Sequence, residues 1–406
     1  MKPSWVVLPL LLILVGCQKP VPERAYWSGQ LHRTDGKSLP FRAFIDLQSL
    51  TPSGYFLVGE ERTPIPEIQH QGDSLILIFS EYNAAIRGVL NGSHWEGNYI
   101  RYRSTALSIP FTASAEALEP HQLQSTMKPA IPLLGKFRAF LREGNSIDST
   151  TVASFWTKND SVFGTLIAPD GDYGLNAGIQ IGTTAALSRF TGWQAQLFEL
   201  RQTGSSWNGT FYVRDEPPVE LTLEPLLTST NNVASGQETK ITNPKIPFVF
   251  SGITSEGDSL NNTSNRFKRK VLIVDIMGTW CHNCMNESPI LQQLYEEYRD
   301  KGLEIVGLSF EINDDVSQAK KNMGLYQKRF GLTFPLLFCG STDNKYVGPQ
   351  LRSQLTNFYA YPTALFIDKN GKIQLVHIGF RGPGTGEEFQ AEVKHLYDIV
   401  KKLTGT

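Results

Sequence analysis

The chain has 406 residues, 40% of them hydrophobic and 19% charged, an ordinary globular composition with mass for two or three domains. Lysine and arginine (38) nearly balance aspartate and glutamate (39), a net charge of −1, which speaks against nucleic-acid binding because that needs a concentrated basic face. The seven histidines show no ligand spacing with cysteines or carboxylates, so no structural metal is expected.

The first predicted element is an apolar run from Trp5 to Val15, behind Lys2 and interrupted only by Pro9. A spanning helix needs about 20 apolar residues, so this run reads as a signal-peptide core over residues 1–16. It ends in Leu14-Val15-Gly16-Cys17, a string that resembles the bacterial lipoprotein box. The resemblance implies that Cys17 is acylated and anchors the protein to a membrane it does not span, facing the periplasm. Gln18 follows, where aspartate would resemble the inner-membrane retention signal, so the outer membrane is the expected location. Residues 17–25 read as a lipidated tether.

From Tyr26 to about Pro225 the pattern is β throughout. Short apolar or alternating runs at 41–47, 75–79 and 95–102 are punctuated by Gly, Asn, Ser and Pro, and a second set follows at 137–141, 162–167 and 207–213. Phe41-Arg42-Ala43-Phe44 recurs as Phe137-Arg138-Ala139-Phe140, 96 residues on. Trp95-Glu96-Gly97-Asn98-Tyr99 recurs as Trp207-Asn208-Gly209-Thr210-Phe211, 112 residues on. The mismatch predicts an insertion, for which 170–178 is the candidate. The expectation is a duplicated antiparallel unit, with one repeat over 26–120, a linker at 121–134 and a second repeat over 135–227, built as two β subdomains or one sandwich or barrel. Trp95 and Trp207 are expected in its core.

Residues 228–243 are polar and read as a linker. After it, over 244–406, the period changes. Strands are predicted at 246–250, 271–277, 303–310 and 334–338. Helices are predicted from near Cys281, where Leu291, Leu294, Tyr295 and Tyr298 share a face closed by Gly302, and at 314–330. Strands 363–367 and 373–377 flank Asn370-Gly371, a strong hairpin signal, and 387–403 is an amphipathic helix. This order is α/β with a mixed sheet.

Trp280-Cys281-His282-Asn283-Cys284 sits where the central strand gives way to a helix. Amide N–H groups and the dipole at a helix N-terminus stabilise an anion, so Cys281 can be a thiolate at neutral pH. Thiols so placed fall from ~8.5 to about 3.5–7.5. Cys284, one turn on, can close the disulfide and release a mixed-disulfide partner. With no second cysteine pair, a zinc site is incomplete.

Residues 246–406 resemble the thioredoxin superfamily, in particular the membrane-tethered TlpA-like branch of disulfide reductases. The resemblance implies further roles. Asp275 matches the buried aspartate that takes a proton from the second cysteine. Glu287-Ser288-Pro289 follows Cys284 as in cytochrome-c maturation reductases, where the glutamate lines the active site and the proline kinks the helix. Tyr361-Pro362-Thr363 resembles the cis-proline loop that faces the disulfide, whose backbone pairs with an incoming chain. Trp280, His282, Tyr361 and Pro362 are thus candidates for contact with substrate. Many members carry proline between the cysteines; His282 and Asn283 stand there in this chain, which leaves the direction of electron flow open. Cys339 reads as a buried apolar residue, and 266–270 as a solvated basic turn.

The functional expectation is an extracytoplasmic thiol–disulfide oxidoreductase acting on protein or small-molecule disulfides. It needs no cofactor, and as a reductase it needs an upstream membrane thiol–disulfide electron donor. One alternative is a thiol peroxidase-like redoxin, although that chemistry wants Thr-x-x-Cys and Thr279 is only two residues before Cys281. The other is a surface binding module whose β region captures a partner.

Overall fold

A computed structural model describes residues 21–102, 107–116, 131–226 and 239–406; Cys17 and the lipoprotein-like segment lie outside them. Nine antiparallel strands run from Arg24–His32 to Leu107–Glu116. The first strand pairs with both the second and the ninth, Trp27 standing opposite Ala43 on one side and Ala115 on the other. The sheet therefore curls like a barrel, but it stays open between its edge strands Glu61–Pro64 and Glu67–Gln71. In the second unit, Gly135–Glu143 pairs with both Val152–Lys158 and Val219–Pro225, and the barrel closes.

The duplication is visible in the strands, at a nearly constant spacing. His94–Arg101 and Ser206–Val213 start 112 residues apart, as do Leu107–Glu116 and Val219–Pro225; Arg24–His32 and Gly135–Glu143 start 111 apart. No insertion is needed. The expected landmark at Phe41 is therefore corrected: it lies in the second strand of its unit, whereas Phe137 lies in the first strand of the other. Alternating aromatic and small residues suit any half-buried strand, so that string recurs without marking equivalent places. Residues 170–178 are not an insertion; they hold the tip of a hairpin and the start of strand Asn176–Ile181.

Inward alternation fills both units with aromatic rings. Trp27, Trp95, Tyr99 and Phe111 are buried in the first, and Phe137, Phe155, Phe198, Trp207 and Phe211 in the second. Trp95 meets Phe111 edge to face at 4.6 Å, and Phe198 stacks on Phe211 at 4.3 Å. A cavity of about 720 Å³ lies between the units, lined by Phe41, Trp95, Ala113, Ile179 and Phe190 among others, and no cysteine lines it.

The C-terminal part is a seven-stranded mixed sheet, in the order Ser259–Asn261, Ser251–Ile253, Leu336–Ser341, Leu303–Glu311, Val271–Met277, Thr363–Ile367, Ile373–Ile378. Leu336–Ser341, Leu303–Glu311 and Val271–Met277 are mutually parallel, and Thr363–Ile367 is antiparallel to Val271–Met277. The helices are α1 (His282–Tyr298), α2 (Val316–Phe330), the short α3 (Asn344–Val347) and α4 (Glu387–Thr404). Strand Val271–Met277 is buried on both faces: Ile273 and Met277 join the cluster with α1 and α4, while Leu272, Val274 and Ile276 join the one opposite.

The strand expected at 246–250 is displaced to Ser251–Ile253. Phe248 and Phe250 are buried as the alternation required, but Pro247 offers no N–H to a ladder. The Gln354 amide group takes the place of a neighbouring strand at Val249, accepting from its N–H at 2.7 Å and donating to its carbonyl at 2.8 Å. The polar linker ends in Lys240–Ile241, which pairs with Leu355–Thr356.

Candidate active site

The buried strand Val271–Met277 delivers the chain to Gly278, which a side chain could not replace: a Cβ there would lie 2.3 Å from Trp280 Nε1 and 2.8 Å from the Phe310 carbonyl. Trp280 Nε1 donates to that carbonyl at 2.9 Å, fixing the indole edge-on to Tyr361 with centroids 5.5 Å apart. Thr279 is tied down by the buried Glu311, which accepts from its N–H at 3.2 Å and its hydroxyl at 2.7 Å. Sequence reasoning missed Glu311, because a carboxylate in an apolar strand carries no local sign of the loop it will meet.

Cys281 caps α1, and its Sγ accepts from the Cys284 amide at 3.1 Å. The two cysteines form a disulfide, with Cα atoms 5.2 Å apart. The geometry puts Cys281 where amide donors and the helix dipole meet a sulfur. The Tyr361–Pro362 bond is cis, and the Pro362 carbonyl accepts from Gly379 N at 2.8 Å. Pro289 lies inside α1.

Two carboxylic acids lie beneath. Asp275 is buried and burial raises its pKa to about 7; its Oδ1 has no hydrogen-bond partner. Glu287 is fully buried with both oxygens unpartnered, and burial, then the neighbouring Asp275 and Glu392, push its pKa well up. Burial of this kind disfavours the ionised form of a carboxyl. Burial also acts on Glu392, but His377 at 2.8 Å and Arg381 at 2.9 Å outweigh it and hold that carboxyl below its ordinary range.

The β units reach this site, which nothing in the sequence announced. Tyr82 O–H donates to Met285 Sδ at 2.9 Å. Arg189, almost wholly buried, forms a two-pronged pair with Glu61 at 2.8 and 2.9 Å. Beside that pair burial, reinforced by the Arg189 charge, drives the His282 pKa down to about 3, so its imidazole is neutral; Asn286 Nδ2 lies 3.2 Å from its Nε2. The hairpin tip at 170–174 packs on Asn283 and on the turn at 379–382.

Cys339 is buried and free, and burial pushes its pKa up to about 12. Arg266, in the short turn Asn265–Phe267, is not simply solvated: it pairs with Glu304 of strand Leu303–Glu311 at 3.2 Å.

The family model described as AhpC/TSA family matches residues 249–376. Among curated relatives, the thiol-disulfide oxidoreductase ResA of Geobacillus thermodenitrificans (strain NG80-2) is 31% identical over 135 residues, 32% of this chain and 66% of that protein. The thioredoxin-like protein YneN of Bacillus subtilis (strain 168) is 29% identical over 132 residues, 32% of this chain and 68% of that protein. The match thus spans about two thirds of their length and a third of this chain. A solved thiol:disulfide interchange protein from Chlorobium tepidum TLS overlays 41% of this chain and 99% of its own, with 23% identity and a TM-score of 0.30. The N-terminal β units lie outside the matched family segment. The C-terminal segment that this model matches, with a mixed sheet, a Cys-x-x-Cys disulfide at the head of α1 and relatives named for thiol–disulfide exchange, belongs to a TlpA-like domain of the thioredoxin superfamily, an oxidoreductase of thioredoxin type.

Proposed function

We propose that the chain is a lipid-anchored, extracytoplasmic reductase of protein disulfides working through the Cys281/Cys284 dithiol. The observation that carries this is the placing of the pair: a disulfide at the N-terminus of α1, with the Cys284 amide 3.1 Å from Cys281 Sγ. In the reduced protein that amide and the helix dipole favour the Cys281 thiolate. The thiolate attacks the substrate disulfide; a Cys281–substrate S–S bond forms, the substrate's own S–S bond breaks, and the departing thiolate takes a proton. Cys284 passes its proton to Asp275 and attacks Cys281 Sγ, closing the Cys281–Cys284 disulfide and freeing the second substrate thiol. Two electrons move from the cysteine pair to the substrate; one of the two protons the substrate thiols gain comes from Cys284 by way of Asp275 and the other from solvent. A membrane thiol donor upstream restores the dithiol, and no cofactor is required.

Glu287, protonated beside Asp275, is the reserve acid of this pair. Trp280, Tyr361 and Pro362 form the ground beside the disulfide on which substrate rests. The envelope location and the Cys17 anchor rest on the resemblance of residues 14–17 to a lipoprotein box.

The test is insulin reduction by the full chain with dithiothreitol as terminal donor. Wild-type protein turns over, Cys281→Ser does not, and Cys284→Ser stops at a mixed disulfide visible on a non-reducing gel. Turnover of hydrogen peroxide without insulin reduction would overturn the reading in favour of a peroxidase. A couple near ~ −270 mV fits a reductase, and one near ~ −120 mV an oxidant.

A further inference from the structure

Thiol–disulfide exchange needs a sulfur that another molecule can touch. Here Cys281 is 4% exposed and Cys284 is 0% exposed, in one buried cluster with Met285 of α1 and Tyr82 of the first β unit. The hairpin tip at 170–174 is fitted to the redox domain atom against atom. Gly171, with φ +129°, leaves no room for a side chain: a Cβ would lie 2.1 Å from Asn283 Nδ2 and 2.9 Å from the Phe380 carbonyl. Gly379 is equally close to the Asp170 backbone, where its Cβ would lie 2.4 Å from the carbonyl carbon and oxygen. The Asp172 carboxylate accepts from Gly382 N at 2.8 Å and from Gly174 N at 2.9 Å.

Other contacts hold the closure from its flanks. Tyr82 grips Met285, the Glu61–Arg189 pair stands beside His282, and Lys136 pairs with Glu388 on α4. The partly exposed Lys136–Glu388 pair can exchange with water, so this flank of the contact can be made and broken.

We infer that the hairpin at 170–174 is a built-in stopper: it covers the Asn283 and 379–382 flank of the ground on which a disulfide-bearing polypeptide would dock, so the β units decide which disulfides reach Cys281. An incoming chain must bring its own backbone up to Cys281 Sγ, past Asn283 and the 379–382 turn. The stopper already fills that space with extended backbone and already uses the Gly382 N–H. The partner that displaces it is a polypeptide able to offer a carbonyl or carboxylate to that N–H. The inference rests on the proposed reductase reading only for the identity of the incoming chain.

The experiment compares full-length wild type with Gly171→Val, which wedges the tip off Asn283, and Lys136→Glu, which sets like charges against Glu388 far from the sulfurs. Each protein is reduced, desalted and pulsed with a bulky maleimide, and label on the Cys281 peptide is followed by mass spectrometry; insulin reduction is measured in parallel. Labelling and insulin turnover are expected to rise about fivefold in Lys136→Glu, from loss and reversal of one ion pair, and about tenfold in Gly171→Val. Circular dichroism keeps folding in view, and Lys136→Glu, a surface change, stands if the wedge fails to fold. Unchanged labelling in both folded variants overturns the stopper while leaving the reductase intact. Faster labelling with no turnover of insulin or of hydroxyethyl disulfide overturns the reductase reading and leaves the stopper standing.

Discussion

Asp275→Asn tests the buried acid beneath the cysteines. The Asp275 pKa is raised from the ordinary 3.8 to about 7 by burial. At 1.36 kcal/mol per pKa unit, ionising it in place costs about 4 kcal/mol more than ionising it in the unfolded chain. The sign follows from which state holds the proton more tightly. The folded form does, so its contribution is whole below pH ~4, declines as pH rises, and is gone above about 7. Asparagine has no proton to lose. The stability difference, variant minus wild type, should therefore climb by about 4 kcal/mol from pH 4 to pH 8. A fixed offset from seating an amide where Oδ1 already lacks a partner shifts all points equally. The assay is urea unfolding of the oxidised full chain at several pH values, reading the transition of the C-terminal domain because the β units need not unfold with it. Release of the mixed disulfide should slow about 100-fold, the scale of one lost general base. A stability difference flat across pH would refute the reasoning.

Two further outcomes follow from the same structure. Glu392→Gln breaks the pairs with His377 and Arg381; because that carboxyl is held below its ordinary range, its contribution is present at neutral pH and lost as pH falls through the folded value, so the variant should unfold about 5 °C earlier at pH 7 and by a shrinking margin in acid, by scanning calorimetry. Cys339, buried with its pKa pushed up to about 12, should resist iodoacetamide in the native oxidised chain at pH 8 and react fully in urea, as counted by mass spectrometry.

Some of this architecture was legible because its causes are local. A Cys-x-x-Cys after an unbroken apolar strand, leucines at helical spacing and Asn-Gly between two strands are short-range chemistry, and these elements lie within a few residues of their expected places. The repeat was legible through Trp95 and Trp207, large residues that only a core can hold, and illegible through Phe41, whose pattern suits many strands. Strand Arg24–His32 escaped notice because it begins inside what reads as tether. That one barrel closes and the other does not is decided by pairing between distant strands. The meeting of Arg189, Glu61 and Asp172 with the redox domain depends on three units packing together, and a glycine such as Gly171 reads as a turn until its neighbour is seen.

The unsealed seam of the first unit has a use that a finished cylinder would lack. Its lips, Glu61–Pro64 and Glu67–Gln71, are four and five residues long and carry Glu61, Arg62, Pro64 and Glu67, short charged borders that discourage another chain from annealing to them. Glu61 on one lip is the carboxylate that partners the sunken Arg189. The open lip thus brings its carboxylate against the neighbouring unit, and the first copy of the fold supplies the counterion that the second one's guanidinium requires.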